Sequence, residues 1–92
     1  MKLPYKENKI SENTFIREFT QETDSGEFMW HRDYEDRLIE STGETNWMIQ
    51  IDNELPKKID SNIFIPKGVY HRLIKGTGNL EIKLQKLNPN FV

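Results

Sequence analysis

The chain has 92 residues, the size of one domain with a modest core that buries about 60–70% of the surface of its unfolded chain. Its 13 lysines and arginines stand against 15 aspartates and glutamates, so the net charge is −2 and no basic run indicates nucleic acid as a partner. No cysteine is present, which excludes disulfides and thiolate metal sites. No apolar run approaches the ~18 residues of a membrane span. The amino terminus lacks the apolar core of a signal peptide, so we expect a cytoplasmic protein with no membrane partner.

The first half of the chain consists of short strand-like segments separated by polar turns. Residues 1–13 are polar and predict an arm or an edge strand, and residues 13–20 carry β-branched and aromatic side chains at strand density. Residues 27–31 predict a second strand and residues 37–41 a third. Residues 47–52 alternate clearly between apolar and polar side chains, which predicts a strand with one face in the core.

A sharp turn at Pro66 and Gly68 organises the second half of the chain. Pro66 cannot donate to a strand ladder and Gly68 can adopt a positive φ, so the strand that enters this turn must end and reverse. The period-two rule then puts Val69, His71 and Leu73 on one face of the outgoing strand. His71 is therefore expected to face inward, among aliphatic side chains.

The remaining segments complete an all-β pattern. Residues 75–79 contain two glycines and predict a hairpin turn, residues 80–85 alternate as a strand, and residues 88–92 predict a trailing tail. About seven or eight short strands, at a spacing of roughly eight to twelve residues and without a helix of useful length, are typical of a sandwich or small barrel. The fold class is therefore all-β, in a single domain of residues 1–92.

Three side chains form a candidate metal site. His31 and Asp33 lie two residues apart at the end of a predicted strand, so in an extended backbone they point the same way. His71 lies on an inward face after the proline–glycine turn. Two imidazoles and one carboxylate make a facial triad, which leaves coordination positions open and suits Fe(II) and its neighbours. The candidate cofactor is a divalent metal, namely Fe, Mn, Ni or Zn, or none.

Two motifs resemble those of the cupins. Residues 66–71 fit P-x-G-x-x-H, the centre of the second cupin motif, and His31, Asp33 and Arg37 stand where the first motif, H-x-H-x-x-x-E, would fall, with Gly43 after it. Motifs and intervening strands span residues 26–78. The chain also looks like small single-domain cupins of unassigned function, some carried by marine tailed phages. The resemblance implies a jelly-roll barrel.

Arg37 takes the place at which cupins carry a glutamate ligand, and three interpretations of it stay open. In the first, His31, Asp33 and His71 hold a metal while Arg37 receives a carboxylate or phosphate as a bidentate fork. In the second, Asp33 and Arg37 pair in a metal-free barrel. In the third, both belong to a charged surface turn. Gln50, opposite the inward face of its strand, either lines a ligand pocket or meets solvent.

Two classes of function therefore stand beside each other. The first is a metalloenzyme, a small oxygenase, isomerase or lyase-like cupin that acts on a small anionic metabolite. The second is a metal-free cupin that binds a ligand or serves as an accessory protein without catalysis. The fold does not decide between them, because one scaffold hosts many functions.

We expect a two-fold homodimer whose interface contains the strand near residues 15–19. The reasons are the small core, the two tryptophans and the sheet edges, which must be covered or paired. Light scattering at micromolar and higher concentration should give twice the monomer mass. A monomer mass over that range would contradict this prediction.

Overall fold

The computed structural model describes residues 5–59 and 62–87, and this part of the chain is nearly all β. The predicted tail at residues 88–92 lies outside it. Within these ranges eight strands and one short 3-10 helix follow each other as β1 (Lys6–Ser11), β2 (Thr14–Phe19), the helix (Gly26–Phe28), β3 (Asp36–Ser41), β4 (Met48–Ile51), β5 (Lys57–Lys58), β6 (Ile63–Ile65), β7 (His71–Ile74) and β8 (Leu80–Leu87).

The strands form two antiparallel sheets that enclose one core. The larger sheet has the order β1-β2-β8-β3-β6 and the smaller one β5-β4-β7. The predicted all-β jelly-roll arrangement is thereby confirmed. Apolar and polar side chains alternate along β4 and β8, so every second side chain points into the space between the two sheets and is buried there. The buried apolar side chains are Phe19, Ile39, Trp47, Ile49, Ile51, Ile59, Ile63, Ile65, Leu73, Leu80, Ile82 and Leu84.

The predicted strand at residues 27–31 is wrong. The Ser25 side chain accepts a hydrogen bond from the backbone N–H of Glu27 at 3.0 Å, and this cap starts a 3-10 helix instead. Phe28 then packs on the core, whereas Trp30 is largely exposed. His31 keeps only an isolated bridge to another strand. A side-chain cap at the first turn has thus overridden the strand propensity of the aromatic residues.

The predicted hairpin at residues 75–79 is also wrong, because β7 and β8 belong to different sheets. The segment is a corner that carries the chain from the smaller sheet to the larger one. Gly76 lies so close to residue 47 that an added Cβ would meet the Trp47 backbone nitrogen at 2.8 Å. Gly78 has a φ of 74°, which favours glycine.

β1 forms an edge of the larger sheet, as predicted for the amino-terminal arm, whose residues 1–4 lie outside the described part of the chain. β1 pairs with β2 from Lys6 opposite Glu18 to Ser11 opposite Thr14, and β2 pairs on its other side with β8. Both edges of β2 are therefore occupied within the chain. A dimer joined by backbone pairing on the larger sheet would use β1 or β6, while the expected dimer itself stays a prediction.

The turn after β6 adopts the expected geometry and ties two distant segments together. Gly68 has a φ of 78°, and its N–H donates to the carbonyl of Asp33 at 2.9 Å. The neighbouring Lys67 N–H donates to the Asp36 carboxylate at 2.6 Å. The loop that precedes β3 is therefore fixed against the turn that precedes β7.

In residues 5–59 and 62–87, no helix is both long enough and apolar enough to cross a membrane.

The corner at Gly76 generates a stability prediction. Gly76→Ala should destabilise the protein by about 1–3 kcal/mol, because the new methyl group would press on the backbone of residues 46–47 and disturb the packing of Trp47. Urea unfolding followed by tryptophan fluorescence measures the change. Gly43→Ala is the matched control, since a Cβ there meets nothing within 4 Å, and it should stay within about 0.5 kcal/mol of wild type. Equal effects of the two substitutions would contradict this account of the corner.

Candidate metal centre

His31 and His71 are brought together by a pair of backbone hydrogen bonds. The His31 N–H donates to the His71 carbonyl at 3.0 Å, and the His71 N–H donates back at 2.8 Å. The two rings consequently lie with their centroids 4.3 Å apart, at an interplanar angle of 61°. His71 is buried and faces inward, as its position in the strand predicted, while His31 is half-buried.

Both imidazoles are oriented by a backbone carbonyl two residues earlier in the chain. His31 Nδ1 lies 2.8 Å from the Met29 carbonyl, and His71 Nδ1 lies 2.9 Å from the Val69 carbonyl. Each carbonyl can only accept, so each Nδ1 carries the donated proton and, in the neutral ring, Nε2 keeps its lone pair. Metal-binding histidines are held in this way by outer hydrogen bonds that fix the tautomer and the ring orientation.

Asp33 completes the cluster. One potential ligand atom each from His31, Asp33 and His71 lies within 4.8 Å of the other two. Asp33 Oδ2 is 3.2 Å from His71 Nε2. His31 Nε2 and Asp33 Oδ2 are buried and have no hydrogen-bond partner among the residues that the structure describes. Unsatisfied buried polar atoms are costly, and two of them facing one cluster fit a site that receives an ion.

The charges around the cluster favour an ionised carboxylate. Burial alone would raise the pKa of Asp33, but the neighbouring His71, Arg37 and His31 side chains outweigh it and the pKa lies below its usual value. Burial opposes the charged form of His31 as well, yet Glu27, the Met29 carbonyl and Asp33 raise the pKa of His31 above its ordinary value. The surroundings therefore favour an ionised carboxylate at Asp33 and positive charge at the His31 ring.

Arg37 is held by carboxylates on the same segment. Its Nε donates to Glu35 at 2.6 Å, and its Nη1 lies 3.3 Å from Asp33 Oδ2. The side chains of Arg37 and Asp33 are only 10% and 14% exposed, so the pair does not lie on a surface turn. The Asp33–Arg37 pairing that the sequence suggested is present, and it coexists with the histidine cluster.

Gln50 is not brought to the cluster. Its side-chain oxygen accepts two hydrogen bonds from Arg72, and its amide donates to the Glu54 carbonyl. It lies on the face of β4 opposite the buried Ile49 and Ile51. Arg72 in turn stacks over the ring of Trp30, so this surface is an outer face of the smaller sheet.

Glu27 is a site residue that the sequence reasoning missed. Its Oε1 lies 3.2 Å from His31 Nε2 at a side-chain exposure of 24%. Burial raises the pKa of Glu27, but the His31 ring and the Arg17 guanidinium outweigh it, and the net pKa is below the usual value. Ser25, two residues earlier, could have indicated this position. Serine is a common helix cap, and a helical turn after it changes the direction of the Glu27 side chain from that in a strand.

A small cavity between the sheets adjoins the cluster. Its volume is about 20 Å³, and its polar lining comes from Arg17, Glu27, Arg37 and His71 among aliphatic side chains. A space of this size holds about one water molecule. The two guanidiniums are buried, at 6% exposure for Arg17 and 9% for Arg37. The cavity therefore places the Arg17 and Arg37 guanidiniums on the same lining as His71, one of the three donors of the cluster.

Comparison with known proteins supports the fold. No family model and no curated protein sequence matches the chain. Among solved structures, a cupin domain from Bordetella pertussis Tohama I superposes with a TM-score of 0.60 at 16% identity, over 96% of this chain and 99% of that one.

Two further structures agree with this result. A cupin-2 domain-containing protein from Shewanella frigidimarina matches with a TM-score of 0.59 at 18% identity, over 87% of this chain and 76% of that one. A protein from Neisseria meningitidis matches with a TM-score of 0.59 at 16% identity, over 91% and 82% of the two chains. At these identities the similarity extends to architecture alone. The chain has the fold of a small cupin.

Proposed function

We propose that this protein binds a divalent transition metal through His31 Nε2, His71 Nε2 and the Asp33 carboxylate. The observation that carries the proposal is the pair of unsatisfied buried atoms, His31 Nε2 and Asp33 Oδ2, beside two imidazoles that are already oriented by backbone carbonyls. Two nitrogens and one oxygen suit Fe(II), Mn(II), Ni(II) or Zn(II). Such an ion, when bound, supplies a Lewis acid or a site for oxygen activation.

The ligand class that fits beside the metal is a small anion. Arg17 and Arg37 present buried guanidiniums to the cavity that His71 also lines. Guanidinium groups recognise carboxylates and phosphates through paired hydrogen bonds. The cavity of about 20 Å³ holds one water molecule, so a carboxylate or phosphate group enters it only when the side chains that line it move apart. A metalloenzyme acting on a small anionic metabolite is the activity consistent with this arrangement.

A second candidate is a metal-free binding or accessory barrel. Asp33 lies 3.2 Å from His71 and 3.3 Å from Arg37, and Arg37 also bonds Glu35. Arg37, together with His71 when it is protonated, therefore balances the charge of the Asp33 carboxylate in the absence of a metal ion. In this alternative the cluster stabilises the fold, and the buried arginines alone receive an anionic partner.

Metal titration separates the two candidates. Wild-type protein should bind about one equivalent of at least one of Fe(II), Mn(II), Ni(II) and Zn(II) by calorimetry. Asp33→Asn should weaken binding by at least about tenfold, since changes in groups that merely support a ligand already cost 10–100-fold. Asp52→Asn, at an exposed loop position, is the matched control and should bind as wild type does.

His71→Ala gives an independent check, because it removes an imidazole donor and should abolish uptake. The metal proposal is wrong if wild type binds none of the four ions, or if Asp33→Asn and His71→Ala both bind them normally.

A charge reversal at Arg37 provides another prediction. Arg37→Glu would place a third carboxylate beside Asp33 and Glu35 without a counter-ion, which should lower the melting temperature in the presence of a chelator. If the cluster is a metal site, the added carboxylate resembles the missing cupin ligand, and excess divalent metal should raise the melting temperature again by mass action. Thermal unfolding with and without metal measures both effects. A melting temperature that stays low in metal favours the metal-free barrel.

A further inference from the structure

Glu27 contacts His31 of the cluster from a position that neither motif assigns to a ligand. It lies in the 3-10 helix that precedes His31, and its carboxylate lines the same cavity as His71 and Arg37. Its Oε1 lies 3.2 Å from His31 Nε2, although the geometry is not that of a hydrogen bond. The contact is therefore made to Nε2, the ring nitrogen that does not bond the Met29 carbonyl and that an ion would take in place of a proton.

The spacing of the donor atoms fits a shared ion. Two ligand atoms at about 2.1 Å from one ion, separated by an angle of 90–109°, lie about 3.0–3.4 Å apart. The Glu27–His31 pair and the Asp33–His71 pair both have a separation of 3.2 Å. The two histidine rings that make these contacts have their centroids 4.3 Å apart. Each pair thus has the spacing of adjacent ligands.

The charges explain why this carboxylate would be needed. Arg37 occupies the strand position at which the resemblance places a glutamate ligand, and it is engaged by Glu35 and Asp33. Three donors with a single carboxylate leave a divalent ion half neutralised. A second carboxylate from Glu27 would complete the neutralisation, in a region where buried charge must be balanced.

We propose that Glu27 is a fourth protein ligand, so that the metal is held by two histidines and two carboxylates. The inference rests on the metal site proposed above and deepens it. Only His31, Asp33 and His71 have donor atoms within 4.8 Å of one another among the described residues, so ligation by Glu27 requires a rotation that brings its carboxylate nearer to the other donors. The helix cap at Ser25 fixes the backbone from which it turns.

Water relaxation with Mn(II) tests the ligand count directly. On an octahedral ion, four protein ligands leave two water positions and three leave three, so Glu27→Gln should raise the inner-sphere contribution to water proton relaxivity by about half. The same variant should weaken Mn(II) binding by at least about tenfold. Glu22→Gln, an exposed position close in sequence, is the matched control and should change neither quantity.

The outcomes separate this inference from the metal site itself. A rise in relaxivity together with weaker binding supports Glu27 as a ligand, and Glu27→Ala should reproduce it. Weaker binding with unchanged relaxivity overturns the inference. If Glu27 only oriented His31, its replacement would not open a coordination position to water. Unchanged binding and relaxivity overturn it as well, while the metal site stands if Asp33→Asn still loses affinity. Failure of wild type to bind any metal overturns both.

Discussion

The cluster depends on a backbone clip between the segment before β3 and the turn before β7. Reciprocal hydrogen bonds join His31 to His71, and Gly68 donates to the carbonyl of Asp33. The Lys67 N–H adds a bond to the Asp36 carboxylate. Residues 29–35 do not belong to a regular strand. These few hydrogen bonds therefore fix the position of the segment, as the ladder of a sheet would do for a strand. Without the clip, His31 would lie on a loop that is not joined to His71 at the start of β7.

The clip also explains how so many charged groups can be accommodated near the core. Once the segment is fixed, Arg37 meets Glu35 and Asp33, and Arg17 meets Glu7 on the neighbouring strand at 2.6 Å. Each buried guanidinium therefore has a carboxylate in contact. Breaking one such pair would leave an uncompensated charge, which costs more than the intact pair contributes. The pairs thus restrict the conformations available to the site more than they add to net stability.

Much of the scaffold was predictable because burial leaves a local pattern in the sequence. Trp47, Ile49 and Ile51 alternate with polar residues, and all three are buried as that alternation predicted. The turn at Gly68 was equally accessible, because proline and glycine restrict the backbone themselves. His31, Asp33 and His71, which spacing and the resemblance to cupins grouped, lie close together in the structure, while their role as metal ligands stays a prediction.

The errors arose where the outcome depends on contacts distant in sequence or on competition between local signals. A glycine-rich turn looks the same whether its flanking strands pair or enter different sheets, so the corner at residues 75–79 resembled a hairpin. At residues 27–31 aromatic strand propensity competed with the Ser25 cap, and the cap prevailed. Glu27 was missed for that reason, since its place beside His31 follows from the helical turn. Gln50 is directed away from the cluster because it lies on the outer face of β4, where it pairs with Arg72.

The edge strand β1 has a consequence for the behaviour of the protein at high concentration. Within the described part of the chain it forms one border of the larger sheet, with Lys6 and Lys9 exposed on it and an irregular register between Lys9 and Ser11. Lysines and register breaks at a sheet border impede the addition of another strand, because an incoming backbone would have to bury charge and match a distorted ladder. The same features that end the sheet therefore protect it against open-ended, amyloid-like growth.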